Sequence, residues 1–192
     1  IFADEEGVVA MLGDGAYLHG TAAEYRNCYD PSWGRHKART RPAPGNHDYH
    51  TKDAAGYYGY FGAAAGNPNK GYYAYNLNGW RVIVLNTQCD AVGGCDAGSP
   101  QHSWLAAELA ANPRQCIMSY SHKPRFTSGP HGDETELEPL WKLLNAAGAD
   151  VALGAHSHNY QRYAKMDASG ALDSNGTRSF VVGTGGASLK DM

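Results

Sequence analysis

At 192 residues the chain has room for one domain with a buried core, and 42% hydrophobic against 18% charged residues excludes a disordered chain. A formal net charge of -3 argues against a nucleic-acid partner held by bulk charge. No apolar run approaches the roughly 20 residues of a membrane span, and no leader segment precedes what reads as a first strand. With 24 Gly, and 13 Tyr against 4 Phe, the chain is either loop-rich or built of loops that line a wet surface, since tyrosine keeps a polar tip while its ring packs.

Residues 8–12 are apolar and close on Gly13-Asp14, which predicts a buried strand with Asp14 at its C-terminal end. Thr21-Ala22-Ala23-Glu24 has capping-box spacing and predicts a helix to about Tyr29, stopped by Asp30-Pro31. Residues 35–41 hold four Lys or Arg and read as a solvated basic face that can also attract an anion. Residues 54–61 are aromatic and irregular. Residues 72–77 and 80–85 are strand-like and meet at Asn78-Gly79, a hairpin signal. Ser99-Pro100 starts a helix to about Ala111 with Leu105 and Leu109 on one face. Residues 115–120 form another short strand. Leu137, Leu140, Trp141 and Leu144 recur at helical spacing before Gly148. Strands at 151–153 and 180–182 follow, the last running into Gly183-Thr184-Gly185-Gly186. Helix-linked strands mixed with a hairpin imply an α/β layered fold.

Among the four cysteines, Cys89 and Cys95 flank a short glycine-containing loop, which favours a disulfide over two free thiols. Cys116 sits in an apolar strand as a small buried hydrophobe, and Cys28 has no evident partner. One disulfide leans toward an oxidising compartment, secreted or periplasmic.

Four stretches offer oxygen and nitrogen ligands. They are Gly13-Asp14-Gly15-Ala16-Tyr17, Pro44-Gly45-Asn46-His47-Asp48, Tyr120-Ser121-His122 and Gly154-Ala155-His156-Ser157-His158. Three of them follow predicted strands, where open α/β sheets place their sites. A carboxylate, imidazoles and an amide oxygen suit zinc, iron or manganese rather than calcium. His156 and His158 are two apart, so both reach metal only if the backbone bends or two metals lie between them. Two metals about 3.5–4 Å apart would clamp an in-line displacement at phosphorus.

In this ordered set, Gly13-Asp14-x-x-Tyr17, Gly45-Asn46-His47-Asp48, His122 and His156-x-His158, the chain resembles the calcineurin-like metallophosphoesterases, and Tyr17 is similar to the purple acid phosphatase branch. The resemblance implies a layered β-sandwich flanked by helices. It also implies a dinuclear centre, iron with zinc, manganese or a second iron, at which metal-bound hydroxide hydrolyses a phosphomonoester. By that pattern Asp14 bridges the metals, Tyr17 and His158 serve the first, and Asn46, His122 and His156 serve the second. His47 binds substrate phosphate, oriented by Asp48, and His131, nine residues after His122, assists the leaving group.

The sequence departs from the pattern in three places. No Asp-x-Gly precedes Gly13-Asp14, and Asp4 does not substitute for it. Ala155 stands where a glycine usually precedes the first histidine, and further strands usually follow the point where Met192 ends the chain. The expectation is a single metallophosphoesterase domain over 1–192, trimmed at both ends. A phosphodiesterase or nucleotidase of the same superfamily, or a non-catalytic domain binding metal or phosphate, are the alternatives.

Overall fold

A computed structural model describes residues 7–113 and 116–190. Asp4, Gln115 and Met192, which entered the sequence reading, lie outside the described residues. Strands β1 (Val9–Leu12) and β2 (Thr40–Ala43) pair in parallel, Val9 opposite Thr40 and Leu12 opposite Ala43. A second sheet holds β3 (Tyr73–Leu77), β4 (Trp80–Val84), β5 (Cys116–Tyr120), β6 (Val151–Gly154), β7 (Tyr160–Met166) and β8 (Thr177–Val182), in the order β3-β4-β5-β6-β8-β7. Its inner strands β4, β5, β6 and β8 run parallel, and β3 and β7 are antiparallel edges.

Alternation along β4 divides the core. Val82 and Val84 pack with Ala43 and Tyr120 between the two sheets. Ile83 points to the opposite face, against Leu105 of the helix Pro100–Ala111 and Leu140 and Leu144 of the helix Glu138–Ala146. Tyrosine hydroxyls hook the layers together, because Tyr73 and Tyr57 donate to the Pro42 carbonyl and Tyr120 donates to that of Arg41. The result is the layered α/β sandwich expected from the sequence.

The Thr21 capping box forms as predicted, with Glu24 closing it reciprocally, but the α-helix it opens spans three residues, Ala22–Glu24. The chain then widens into a π-helical turn, Tyr25–Tyr29, in which Asp30 N–H donates to Tyr25 O. That turn buries Tyr25 and Tyr29 on Tyr57 and Phe61. Residues 54–61 are not irregular, because Ala55–Phe61 is a helix whose Tyr57 and Phe61 sit four apart on the buried face. Its glycines masked the signal. Gly56 lies against the Gly20–Thr21 backbone, so a Cβ there would overlap it. The basic stretch is likewise more than a solvated face, since Trp33–Arg39 is a 3-10 turn feeding β2, with His36 and Thr40 buried.

Ser99 caps the helix Pro100–Ala111 as expected, accepting from His102 N–H at 3.2 Å. Cys89 and Cys95 are bonded, with Cα atoms 5.2 Å apart, Cys28 is exposed, and Cys116 is half-buried rather than buried. No helix among the described residues is long and apolar enough to cross a membrane.

Candidate metal centre

Parallel strands deliver the site. Asp14 follows β1, Asn46 and His47 follow β2, His122 follows β5, and His156 and His158 follow β6. All four strand ends open on the same edge of the sandwich. Two of the site residues lie in the left-handed region that non-glycine residues avoid, Asp14 at φ 52° and His156 at φ 57°. Beyond His156 the backbone bends twice, since Ser157 N–H donates to Ala155 O at 2.6 Å and Asn159 N–H to Ser157 O at 2.7 Å. Those bends let two histidines only two residues apart both face the site. Ser157 is buried between them and meets Thr127 Oγ1 at 3.1 Å.

His122 is the hub. Its Nδ1–H donates to the Leu12 carbonyl at 2.8 Å, which turns Nε2 inward. Around Nε2 lie Asn46 Oδ1 at 2.9 Å, Asp14 Oδ2 at 3.1 Å and His156 Nδ1 at 3.1 Å. Three acceptors thus crowd one nitrogen that has at most one proton to give. Among the described residues, Asp14, His122 and His156 form the group of His, Cys and acidic side chains whose donor atoms lie within 4.8 Å of one another. Such a convergence of lone pairs calls for a cation, and a borderline metal fits this nitrogen and oxygen set.

Protonation states agree with that use. Burial alone would raise the Asp14 carboxyl, but His122 and the His47 N–H hold it near 2. Burial, reinforced by the charge of His122, lowers His156 to about 3, so its lone pair is free at neutral pH. Burial opposes a charge on His122 as well, yet the hydrogen bond and charge of Asp14 raise it.

A second group shares Asp14. Tyr17 Oη lies 3.2 Å from Asp14 Oδ2 and 3.1 Å from His158 Nε2, and His158 is oriented by Nδ1–H donating to Ser188 O at 3.0 Å. His47 packs at a tilt against Tyr17, with ring centroids 4.6 Å apart, and donates Nδ1–H to Leu18 O at 2.6 Å. Its Nε2 is therefore left for another partner. His131 packs on His156 with centroids 4.3 Å apart. All eight candidate residues, Asp14, Tyr17, Asn46, His47, His122, His131, His156 and His158, are thus brought to one place.

Asp48 does something other than orient His47. It is fully buried, takes the Asp14 and Gly45 N–H groups on Oδ2 at 3.1 and 2.8 Å, and takes the Tyr25 hydroxyl on Oδ1 at 2.5 Å. One carboxylate staples the loops after β1 and β2. Burial raises it to about 6 despite those donors.

The family model for calcineurin-like phosphoesterases matches residues 1–160. The chain belongs to that family. Within it, the chain is 30% identical over 131 residues to purple acid phosphatase 18 of Arabidopsis thaliana and 27% identical over 110 residues to probable purple acid phosphatase 20 of the same plant. These matches take in 64% and 53% of this chain but 28% and 25% of the relatives, so the chain spans about a quarter of their length. The fold matches purple acid phosphatase PPD1 from yellow lupin at TM-score 0.72 and 22% identity, over 98% of this chain and 38% of that one. It also matches GAP50, the anchor in the inner membrane complex of Plasmodium, at TM-score 0.64 and 14% identity, over 96% and 64%.

In this calcineurin-like domain the motif glycine Gly45 has a steric reason. A Cβ there would overlap Asp14 Oδ1 and come within 2.5 Å of the Asp14 nitrogen. Gly45→Ala is therefore expected to push Asp14 out of the cluster, destabilise the fold by roughly 1–3 kcal/mol and weaken metal binding. Denaturant unfolding and metal titration check this, and wild-type metal affinity would show that Asp14 does not depend on the approach. Sequence reasoning missed Tyr25, which carried no motif, and Lys190, a lone cation past the glycine run.

Proposed function

We propose that this chain is the metal-dependent catalytic part of a phosphoesterase that hydrolyses phosphomonoesters at a dinuclear centre, iron paired with zinc, manganese or a second iron. The observation that carries the reading is the crowding of Asn46 Oδ1, Asp14 Oδ2 and His156 Nδ1 around His122 Nε2. Asn46, His122 and His156 would hold one ion, Tyr17 and His158 the other, and Asp14 both. When bound, the pair would supply charge to offset the phosphate oxygens and make a water acidic enough to attack phosphorus. The chain's own residues do the rest. His47, with Nδ1 committed to Leu18 O, would bind a substrate phosphate by donating Nε2–H when that nitrogen carries a proton. Asp14 is kept ionised and His156 unprotonated. His131, packed on His156, is placed to assist the leaving group. The Cys89–Cys95 bond supports a location outside the cytoplasm.

The test is turnover of 4-nitrophenyl phosphate and bis(4-nitrophenyl) phosphate by protein reconstituted with iron, zinc or manganese. Metal-dependent hydrolysis with the monoester preferred is the expected result. A preference for the diester would move the reading to a phosphodiesterase. Bound metal with no turnover of either ester would favour a non-catalytic domain, a use of this fold suggested by the neighbour described as an anchor.

A further inference from the structure

Past β8 the chain turns back across the site. Gly183 runs against the Ser157–His158 backbone so closely that a Cβ there would lie 3.0 Å from the Ser157 carbonyl carbon. The following segment grips His158 from both sides. Ser188 O accepts from its Nδ1–H at 3.0 Å, and Lys190 N–H donates to its carbonyl at 2.9 Å. Lys190 is thereby fixed at the rim, and its Nζ reaches His131 Nε2 at 3.1 Å.

This ammonium is unusual in its company. Among the described residues it makes no ion pair, and Glu134, near the same loop, is taken by Lys123 at 3.3 Å. Its partner is a single imidazole nitrogen, which leaves two of its three N–H donors for other acceptors. From the cluster outward the order is His122, His156, His131, Lys190, each in contact with the next. A phosphoryl group seated on the inner residues would extend its leaving part past His131 toward this cation.

We infer that Lys190 is a specificity-determining residue that selects phosphate esters whose leaving part carries its own anionic group, a second phosphate or a carboxylate. The inference rests on the phosphoesterase reading above. A charge-assisted hydrogen bond from a rim ammonium adds affinity for that class alone, and because the side chain is exposed the gain is screened by salt.

The experiment uses metal-loaded protein and two non-hydrolysable probes, methylphosphonate and 2-carboxyethylphosphonate, titrated by calorimetry at low and high salt. Unaltered protein is expected to bind the carboxylated probe about tenfold more tightly at low salt, with the margin shrinking as salt rises. Lys190→Gln should erase that margin while leaving methylphosphonate affinity in place, and Lys190→Arg should restore most of it. An unchanged margin in Lys190→Gln overturns the inference. An equal loss for both probes also overturns it, because the cation would then serve the phosphoryl group or the placement of His158. Protein that holds metal but binds neither probe overturns the phosphoesterase reading together with this one.

Discussion

His122→Ala is expected to lower metal affinity by about a hundredfold or more and to remove ester turnover with it. His122 is the residue on which Asp14, Asn46 and His156 converge, so its loss takes away both a ligand nitrogen and the group that fixes the other three. The same residue sets the pH dependence. Asp14 raises the His122 pKa, so the metal-free protein keeps a proton there that an incoming cation must displace. Below that raised pKa the proton competes and affinity falls, and above it the competition disappears. Calorimetry in buffers of different ionisation enthalpy should therefore show about one proton released per ion bound at mildly acid pH, and none from this source in His122→Ala. Asn46→Ala removes one neutral oxygen and should weaken binding less. Circular dichroism separates loss of ligand from loss of fold. If a folded His122→Ala kept its metal, the ligand assignment would fall.

The site was more legible in the sequence than the fold around it. Asp14, His122, His156 and His158 stood out because polar residues of metal-binding type do not ordinarily follow short apolar runs three times in one chain, and Asn46 stood out by its place in the Gly45-Asn46-His47 run. Strand β2 was not legible, since Thr40-Arg41-Pro42-Ala43 alternates poorly and its proline lacks a donor, which suits an edge strand and hides one. Strand β7 was missed for a related reason. As an edge strand it exposes Tyr160, Arg162 and Ala164, and one of its buried positions is the polar Gln161, so no apolar pattern marks it. Asp48 shows a different limit. Its position in the Asn-His-Asp run suggested the neighbouring imidazole as partner, but it binds the backbone of Asp14 and Gly45 and the hydroxyl of Tyr25. Backbone N–H groups carry no residue identity, so nothing in the one-dimensional pattern could name them. Tyr25 comes to Asp48 from the π-helical turn Tyr25–Tyr29, outside the run.

Tyr17 offers the sharpest spectroscopic outcome. Its hydroxyl lies between Asp14 Oδ2 and His158 Nε2, at 3.2 and 3.1 Å. Burial and the Asp14 charge push its pKa well up in the metal-free protein, so the phenol stays protonated and colourless. A ferric ion held by Asp14 and His158 would displace that proton, and a phenolate on ferric iron has a visible charge-transfer band that carboxylate and imidazole ligands alone do not give. Iron-loaded protein is therefore expected to be coloured, and Tyr17→Phe to bleach it completely. The ring itself should stay in place, because its contact with His47 at 4.6 Å needs no hydroxyl, so the fold and the His122 cluster persist in the variant. Absorption spectra of the two iron-loaded proteins, with metal content measured in parallel, decide the matter. A coloured Tyr17→Phe protein would remove Tyr17 from the ligand set. A colourless but active unmodified protein would instead assign zinc or manganese to the site, with Tyr17 acting as a hydrogen-bonded spacer between Asp14 and His158.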